Sequence, residues 1–167
     1  MNSESILRID FNGNKIWENK NGELHRLDGP AYEDLNGLKE WHQNGKLHRL
    51  DGPAIDYPGG NKYWYKNGRL HRLDGPAIER SNGRKEWYVE GQRHRELGPA
   101  IEDSGFGEKW YKNGLIHRLD GPAIISRFGE KVWCIEGRSF YDQEDFFNHL
   151  TEKEKQIALF SKDFFNG

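Results

Sequence analysis

The sequence predicts a mainly β fold: an elongated, single-layer antiparallel sheet of 23-residue hairpin repeats, closed by a short α-helical C-terminal cap. Three observations predict it. First, His-Arg-Leu-Asp-Gly-Pro-Ala begins at His25, His48, His71 and His117, with a variant, His-Arg-Glu-Leu-Gly-Pro-Ala, at His94. The step is 23 residues each time, and a fixed period of that length marks a repeat array. Second, a tryptophan heads each unit: Trp17, Trp41, Trp64, Trp87 and Trp110, with Trp133 opening an incomplete sixth. Third, only 34% of the residues are hydrophobic and the mean hydropathy is −1.01, too polar for a thick two-layer core. Six Trp, seven Tyr, nine Phe and a net charge of −2 nevertheless oppose disorder, because disordered chains are poor in aromatics and rich in net charge.

Taken in order, residues 5–18 are two alternating segments around Asn12-Gly13, a hairpin signal and an opening half-unit. Each full unit then runs strand, turn, His-Arg segment, strand, turn, amounting to about one hairpin. The first turn is Asn21-Gly22, Asn44-Gly45, Asn67-Gly68 or Asn113-Gly114, with Glu90-Gly91 as the weakest match; Asn-Gly suits the positive φ of a tight turn. The step from Trp17 to Trp41 is one residue longer than the others, which predicts a bulge or longer turn before His25. The second turn carries Asn36-Gly37, Gly59-Gly60, Asn82-Gly83, Gly105-Phe106-Gly107 or Phe128-Gly129. Alternation sets Trp64 on one strand face and Tyr63 and Tyr65 on the other, with His42, Tyr88 and Tyr111 at the offset of Tyr65. Past Trp133 the motif fails. Asp142 opens a short helix carrying Phe146, Phe147 and Leu150, and Thr151 to Glu154 reads as a capping box opening a second, with Ile157, Phe160 and Phe164 as its apolar stripe. The expected division is a repeat domain over 1–141 and a helical cap over 142–167.

A pI near 6.4 and net charge −2 give no general attraction to nucleic acid or anionic membrane. The N-terminal stretch has neither a basic nor an apolar leader region, and no apolar run approaches the ~20 residues of a membrane span. The expectation is a soluble, cytoplasmic chain. Cys134, the single cysteine, cannot form an intramolecular disulfide and reads as a structural thiol.

The run aromatic-x-x-Asn-Gly-x-x-His-Arg-x-Asp-Gly-Pro-Ala followed by a glycine turn resembles the MORN repeat over about residues 5–140. It is most similar to the variant repeats of bacterial antitoxin-like proteins, which also occur in phages. The common MORN form has a second Gly directly after His, where this chain has Arg-Leu-Asp-Gly-Pro. The resemblance implies successive antiparallel hairpins in one sheet and a role in scaffolding or protein interaction, with antitoxin-like or phage-encoded inhibition of another protein as the specific form.

The repeated segment itself excludes several chemistries. Consecutive units advance two strands, ~9.5 Å at ~4.8 Å each, so His48 and His71 are too far apart to share a metal ion, and neither a metal nor another cofactor is expected. Catalysis needs a nucleophile and base held once in a water-excluding pocket, and no Ser-His-Asp, phosphate-loop or paired-carboxylate motif stands out. A hydrolase at one irregular unit is the least supported reading, and a non-enzymatic binding protein the preferred one. The bland role of His-Arg-x-Asp is structural: Asp before Gly-Pro accepts bonds in a turn, Arg bridges to a carboxylate, and His bonds the returning chain. The functional role is a regularly spaced cationic row of Arg26, Arg49, Arg72, Arg95 and Arg118, able to bind an acidic protein, an anionic small ligand or a nucleotide. Asp28, Asp51, Asp74 and Asp120 accompany that row, which disfavours duplex nucleic acid. The irregular positions are the other candidates: His94, Arg95 and Glu96 in the altered copy, and Tyr57, Phe106 and Phe128 beside the second turns, since arginine and aromatics anchor interfaces. The partner expected is a protein, and a homodimer is compatible with exposed sheet ends.

Overall fold

The computed structural model describes residues 5–160. It is mainly β: thirteen strands follow one another in an antiparallel ladder, with four two-stranded hairpins beside it and two short helices at the C-terminal end. The chain divides into two compact units. The first holds the residues up to Asn82 together with Val89–Gly91; the second holds Gly83–Tyr88 and the residues from Gln92 onward.

In the first unit the ladder runs Ile6–Ile9, Lys15–Glu18, Tyr32–Glu33, Lys39–Glu40, Ile55–Asp56, Lys62–Tyr63 and Ile78–Glu79. In the second it runs Lys85–Glu86, Ile101–Asp103, Gly107–Lys109, Ile124–Ser126, Lys131–Ile135 and Arg138–Phe140. Registers repeat: Ile55 faces Tyr63 in the third pair as Tyr32 faces Glu40 in the second. Several of the glycine turns that close these hairpins hang on one side chain. Asp10 Oδ1 accepts from the N–H groups of Asn12 and Asn14, Asp34 Oδ1 from those of Asn36 and Leu38, and Ser126 Oγ from those of Phe128 and Glu130. These side chains imitate a backbone turn.

Each unit differs from the single hairpin the alternation predicts. The strand entering Trp64 pairs in the ladder through Lys62–Tyr63, whereas Tyr65–Lys66 pairs with Arg69–Leu70 in a hairpin of its own. His42–Gln43 with Lys46–Leu47 and Tyr111–Lys112 with Leu115–Ile116 repeat the arrangement. The tryptophan is the joint: Trp64 N–H donates to Ala77 C=O, and Trp64 C=O accepts from His71 N–H. Period-2 patterning cannot reveal it, because side-chain alternation continues while the hydrogen-bond partner changes. The Asn-Gly turns form as expected, with Asn44, Asn67 and Asn113 at φ 49°, 52° and 50°; Glu90 and Glu136 adopt 48° and 49° despite lacking asparagine's preference. The longer step near Trp17 is a longer turn, in which Asn19 Oδ1 accepts from the N–H groups of Asn21 and Glu23.

Helix α1 (Gln143–Asn148) is capped by Asp142, and α2 (Glu152–Leu159) by a reciprocal Thr151–Glu154 capping box, both as the sequence predicts. The inward face of α2 differs from prediction. Ala158 is buried completely, whereas Ile157 and Phe160 are exposed and Phe164 lies outside the described residues. With Phe146 and Leu150, Ala158 packs on Trp133 and Phe140 of the last hairpin, making the main apolar cluster of the second unit. A small residue lets the helix approach closely, so the larger side chains beside it are turned out.

Candidate functional site

Six residues of the repeated heptapeptide have a structural task that the geometry makes explicit. His48 Nδ1 accepts from the backbone N–H of Asn67, in the turn of the next repeat. His25, His71, His94 and His117 accept in the same way from Asn44, Glu90, Asn113 and Glu136. These imidazoles are joints between repeats, and at His48 and His71 the same Nδ1 also meets the side chain of the turn residue, Asn67 Oδ1 at 2.7 Å and Glu90 Oε1 at 3.0 Å. Two backbone bonds accompany the His48 joint, Gly68 N–H to Leu47 C=O and Arg49 N–H to Tyr65 C=O, and the pair recurs around His25, His94 and His117.

Arginine is held on both faces. The Arg49 guanidinium lies 4.0 Å above the Trp41 ring, and a Cβ added at Gly52 would come within 2.8 Å of its Cζ. The cation is therefore pressed between an indole and a backbone that only glycine leaves bare. Its Nε donates to Asp51 at 2.8 Å and its terminal nitrogen to Pro53 C=O at 3.3 Å. Arg26, Arg72 and Arg118 repeat the stack on Trp17, Trp64 and Trp110 and the bonds to Asp28, Asp74 and Asp120. Hydrogen bonds from the guanidiniums, followed by their charge, hold Asp28, Asp51 and Asp74 below the usual carboxylate range. Alanine ends the segment wholly buried at Ala31, Ala54, Ala77, Ala100 and Ala123. The candidate cations are thus committed to the corner that contains them.

The altered copy is paired differently, as its sequence predicts. Arg95 stacks at 3.8 Å on Trp87 and donates to Pro99 C=O and to Glu102, as Arg72 does to Glu79; leucine stands where the other copies bond aspartate, and Glu96 is bonded instead to His94 Nε2 at 2.9 Å. Gly98 takes φ 100°, which accommodates the displaced leucine. Of the aromatic candidates, Tyr57 meets Tyr63 edge to face at 5.9 Å, while Phe106 and Phe128 are exposed, Phe128 beneath Arg127 at 4.4 Å. None of these three is brought to the repeated corner.

The seventh residue is the leucine, and in the first unit it supports nothing. Leu27, Leu50 and Leu73 are 63%, 77% and 79% exposed, although their neighbours in the segment are engaged. Successive corners leave open grooves between these leucines: one bordered by Leu27, Trp41, Gln43, His48 and Leu50, the next by Leu50, Trp64, Lys66, His71 and Leu73. In the second unit Leu97 is 87% exposed, but Leu119 is half-buried against the helical cluster. The groove bordered by Leu97, Trp110, Lys112, His117 and Leu119 has Ile157 of α2 as a further wall. Burial, followed by the charge of Lys112, depresses the His117 pKa, with Glu136 and Glu154 opposing. Sequence reasoning missed the leucines. The available signal was an apolar residue at a constant place in a segment of otherwise polar or turn-forming residues.

A buried ionic cluster in the second unit also escaped it. Glu86, 2% exposed, accepts from Arg84, Arg93 and the Tyr88 hydroxyl, and Arg84 reaches Asp103 at 3.0 Å. Burial alone would raise the Glu86 carboxyl, but the charge of Arg84 and the bonds it receives hold it below the usual range; burial and the adjoining Glu86 push the Tyr88 phenol up to about 12. Every member is paired with another, which makes it a strut. Burial raises the Cys134 thiol, consistent with a structural role. Among the described residues no three His, Cys, Asp or Glu side chains gather as a metal would require, and no helix is long and apolar enough to cross a membrane. No family model matches the chain, and no curated protein is similar to it.

Proposed function

We propose that this chain is a non-enzymatic protein-binding repeat module, and that Leu27, Leu50 and Leu73 are its contact residues. One observation carries the reading: in a corner where histidine, arginine and aspartate are bonded and alanine is buried, the same exposed apolar residue is presented three times in the first unit. Scattered exposed leucines need no explanation, but a periodic set flanking open grooves is what an interface uses. The resemblance to variant MORN repeats of antitoxin-like and phage proteins supports an inhibitor that blocks or sequesters another protein. Anion capture by the arginine row gains nothing from the geometry, since each guanidinium stacks on tryptophan and donates to carboxylate or carbonyl oxygen.

The test is affinity capture by the full chain and by a Leu27→Glu, Leu50→Glu, Leu73→Glu triple variant. A stoichiometric protein partner taken by the parent and lost by the triple is expected. A partner held equally by both, or release of an anionic metabolite from the denatured parent with no protein partner, overturns the reading.

A further inference from the structure

The proposed contact residues raise the question of what shape of partner they accept, and the second unit contains an instance. Its groove between Leu97 and Leu119 is walled by Ile157, and the cluster containing Leu150 and Ala158 packs on Leu119. Glu154, one turn before Ile157, is bonded to Thr151 in the capping box, and its charge acts on His117, which with Lys112 borders that groove. The tail therefore presents an acid and then two apolar residues at i, i+3 and i+4, one face of a helix.

The first unit repeats the receiving side. Trp64, Lys66, His71 and Leu73 stand at the same places in their repeat as Trp110, Lys112, His117 and Leu119, and Leu50 supplies the far wall as Leu97 does. The groove is of about 600 Å3. Arg49 and Arg72 are matched by Asp51 and Asp74, so Lys66 is the cation of this groove without a partner in its own corner segment. The neighbouring groove has Gln43 where this one has Lys66, and so lacks that charge.

Resting on the protein-binding reading, we infer that the Leu50–Trp64–Leu73 groove seats an amphipathic helix of a partner protein, with an acidic residue over Lys66 and apolar residues one turn later against Leu50 and Leu73. The helix lies as α2 does in its own groove. Helix-in-groove recognition through anchors at i, i+3 and i+4 is a general mode, and a complementary charge fixes its register.

The probe is a peptide of the sequence Leu150–Phe160, cross-linked between positions 152 and 156 because isolated helices of this length are marginal in water. It is titrated by fluorescence anisotropy against the full chain. Saturable binding is expected, weakened about tenfold or more by Leu73→Glu and by Lys66→Glu, equivalent to about 1.4 kcal/mol, and left within about twofold by Leu97→Glu, whose groove already has α2. Thermal melts of the variants control for folding, and Leu73 is exposed enough for its melt to remain unchanged. Absence of binding, indifference to Leu73→Glu, or loss on Leu97→Glu overturns the inference. If the peptide fails while the triple leucine variant still loses its captured partner, the helix is wrong and protein binding stands. If the triple keeps its partner, the broader reading falls with it.

Discussion

Arg72 and Arg118 occupy the same place in two repeats and share three contacts, to which Arg72 adds a bond to Glu79 at 2.9 Å. Each lies close to 4 Å over a tryptophan, donates through Nε to the aspartate two residues on and through a terminal nitrogen to the proline carbonyl at 3.2 Å. They differ in cover. The Arg72 side chain is 22% exposed with Leu73 bare beside it, whereas Arg118 is 8% exposed with Leu119 packed under the helical cluster. The stack on tryptophan and the bonds to aspartate and proline are therefore complete before anything lies on the corner, and cover changes its solvent access without changing those three. Folding and contact are separable tasks in this heptapeptide, assigned to different residues of it.

The largest way to break the comparison is to strip the cover. Phe146 is wholly buried in the cluster over the last hairpin, and Phe146→Ala should cost about 3–5 kcal/mol. Hydrogen exchange should quicken through the residues after Gln92 and remain as it was in the first unit; equal acceleration in both would show that the cover supports more than its own corner. The joints come next. His117→Ala and His48→Ala each orphan one backbone N–H of the following turn. The loss should be about 1–3 kcal/mol at the more buried His117 and about 0.5–1.5 kcal/mol at His48, read as shifts in denaturant midpoint.

A smaller effect sharpens the claim that cover leaves the bonds alone. Arg49→Lys and Arg118→Lys keep the charge but lose the planar fork, and each should cost about 1 kcal/mol. Equal losses support separability; a much larger loss at Arg118 would mean that cover strengthens the corner. The least effect is expected from pH. Burial, then Lys112, lowers the His117 pKa in the folded chain, so the unfolded chain binds the proton more tightly. This contribution is intact above the unfolded value near 6.5 and is lost as pH falls from there through the folded value. His117→Gln should flatten that part of a stability–pH curve, and a curve that keeps its slope would assign it to another group.

Much of this was legible in the sequence because it depends on local chemistry. The 23-residue period, the glycine turns, the Asp142 cap and the Thr151–Glu154 box each follow from residues a few positions apart. That Arg95 has no aspartate partner follows equally from the displaced acid in its copy, which bonds His94 instead. What was hidden depends on which surface meets which. The break at each tryptophan does not alter the side-chain pattern, and the stripe of α2 could not say that Ala158 rather than Ile157 or Phe160 would face inward. The charges of Arg84, Lys85 and Glu86 are adjacent in sequence, but that tertiary pairing buries Glu86 is not written there. The leucines were visible as letters, but their exposure required knowing that their six neighbours were already occupied.

The histidine joints carry a direction. Each Nδ1 accepts from the backbone of a turn nineteen residues further on. A nascent chain emerging from its N-terminal end can close each joint as soon as the following turn appears, without waiting for any distant segment. Contacts of such short sequence separation favour fast, stepwise growth, so the array behaves as a one-way ratchet whose last unclosed tooth is always at the site of synthesis.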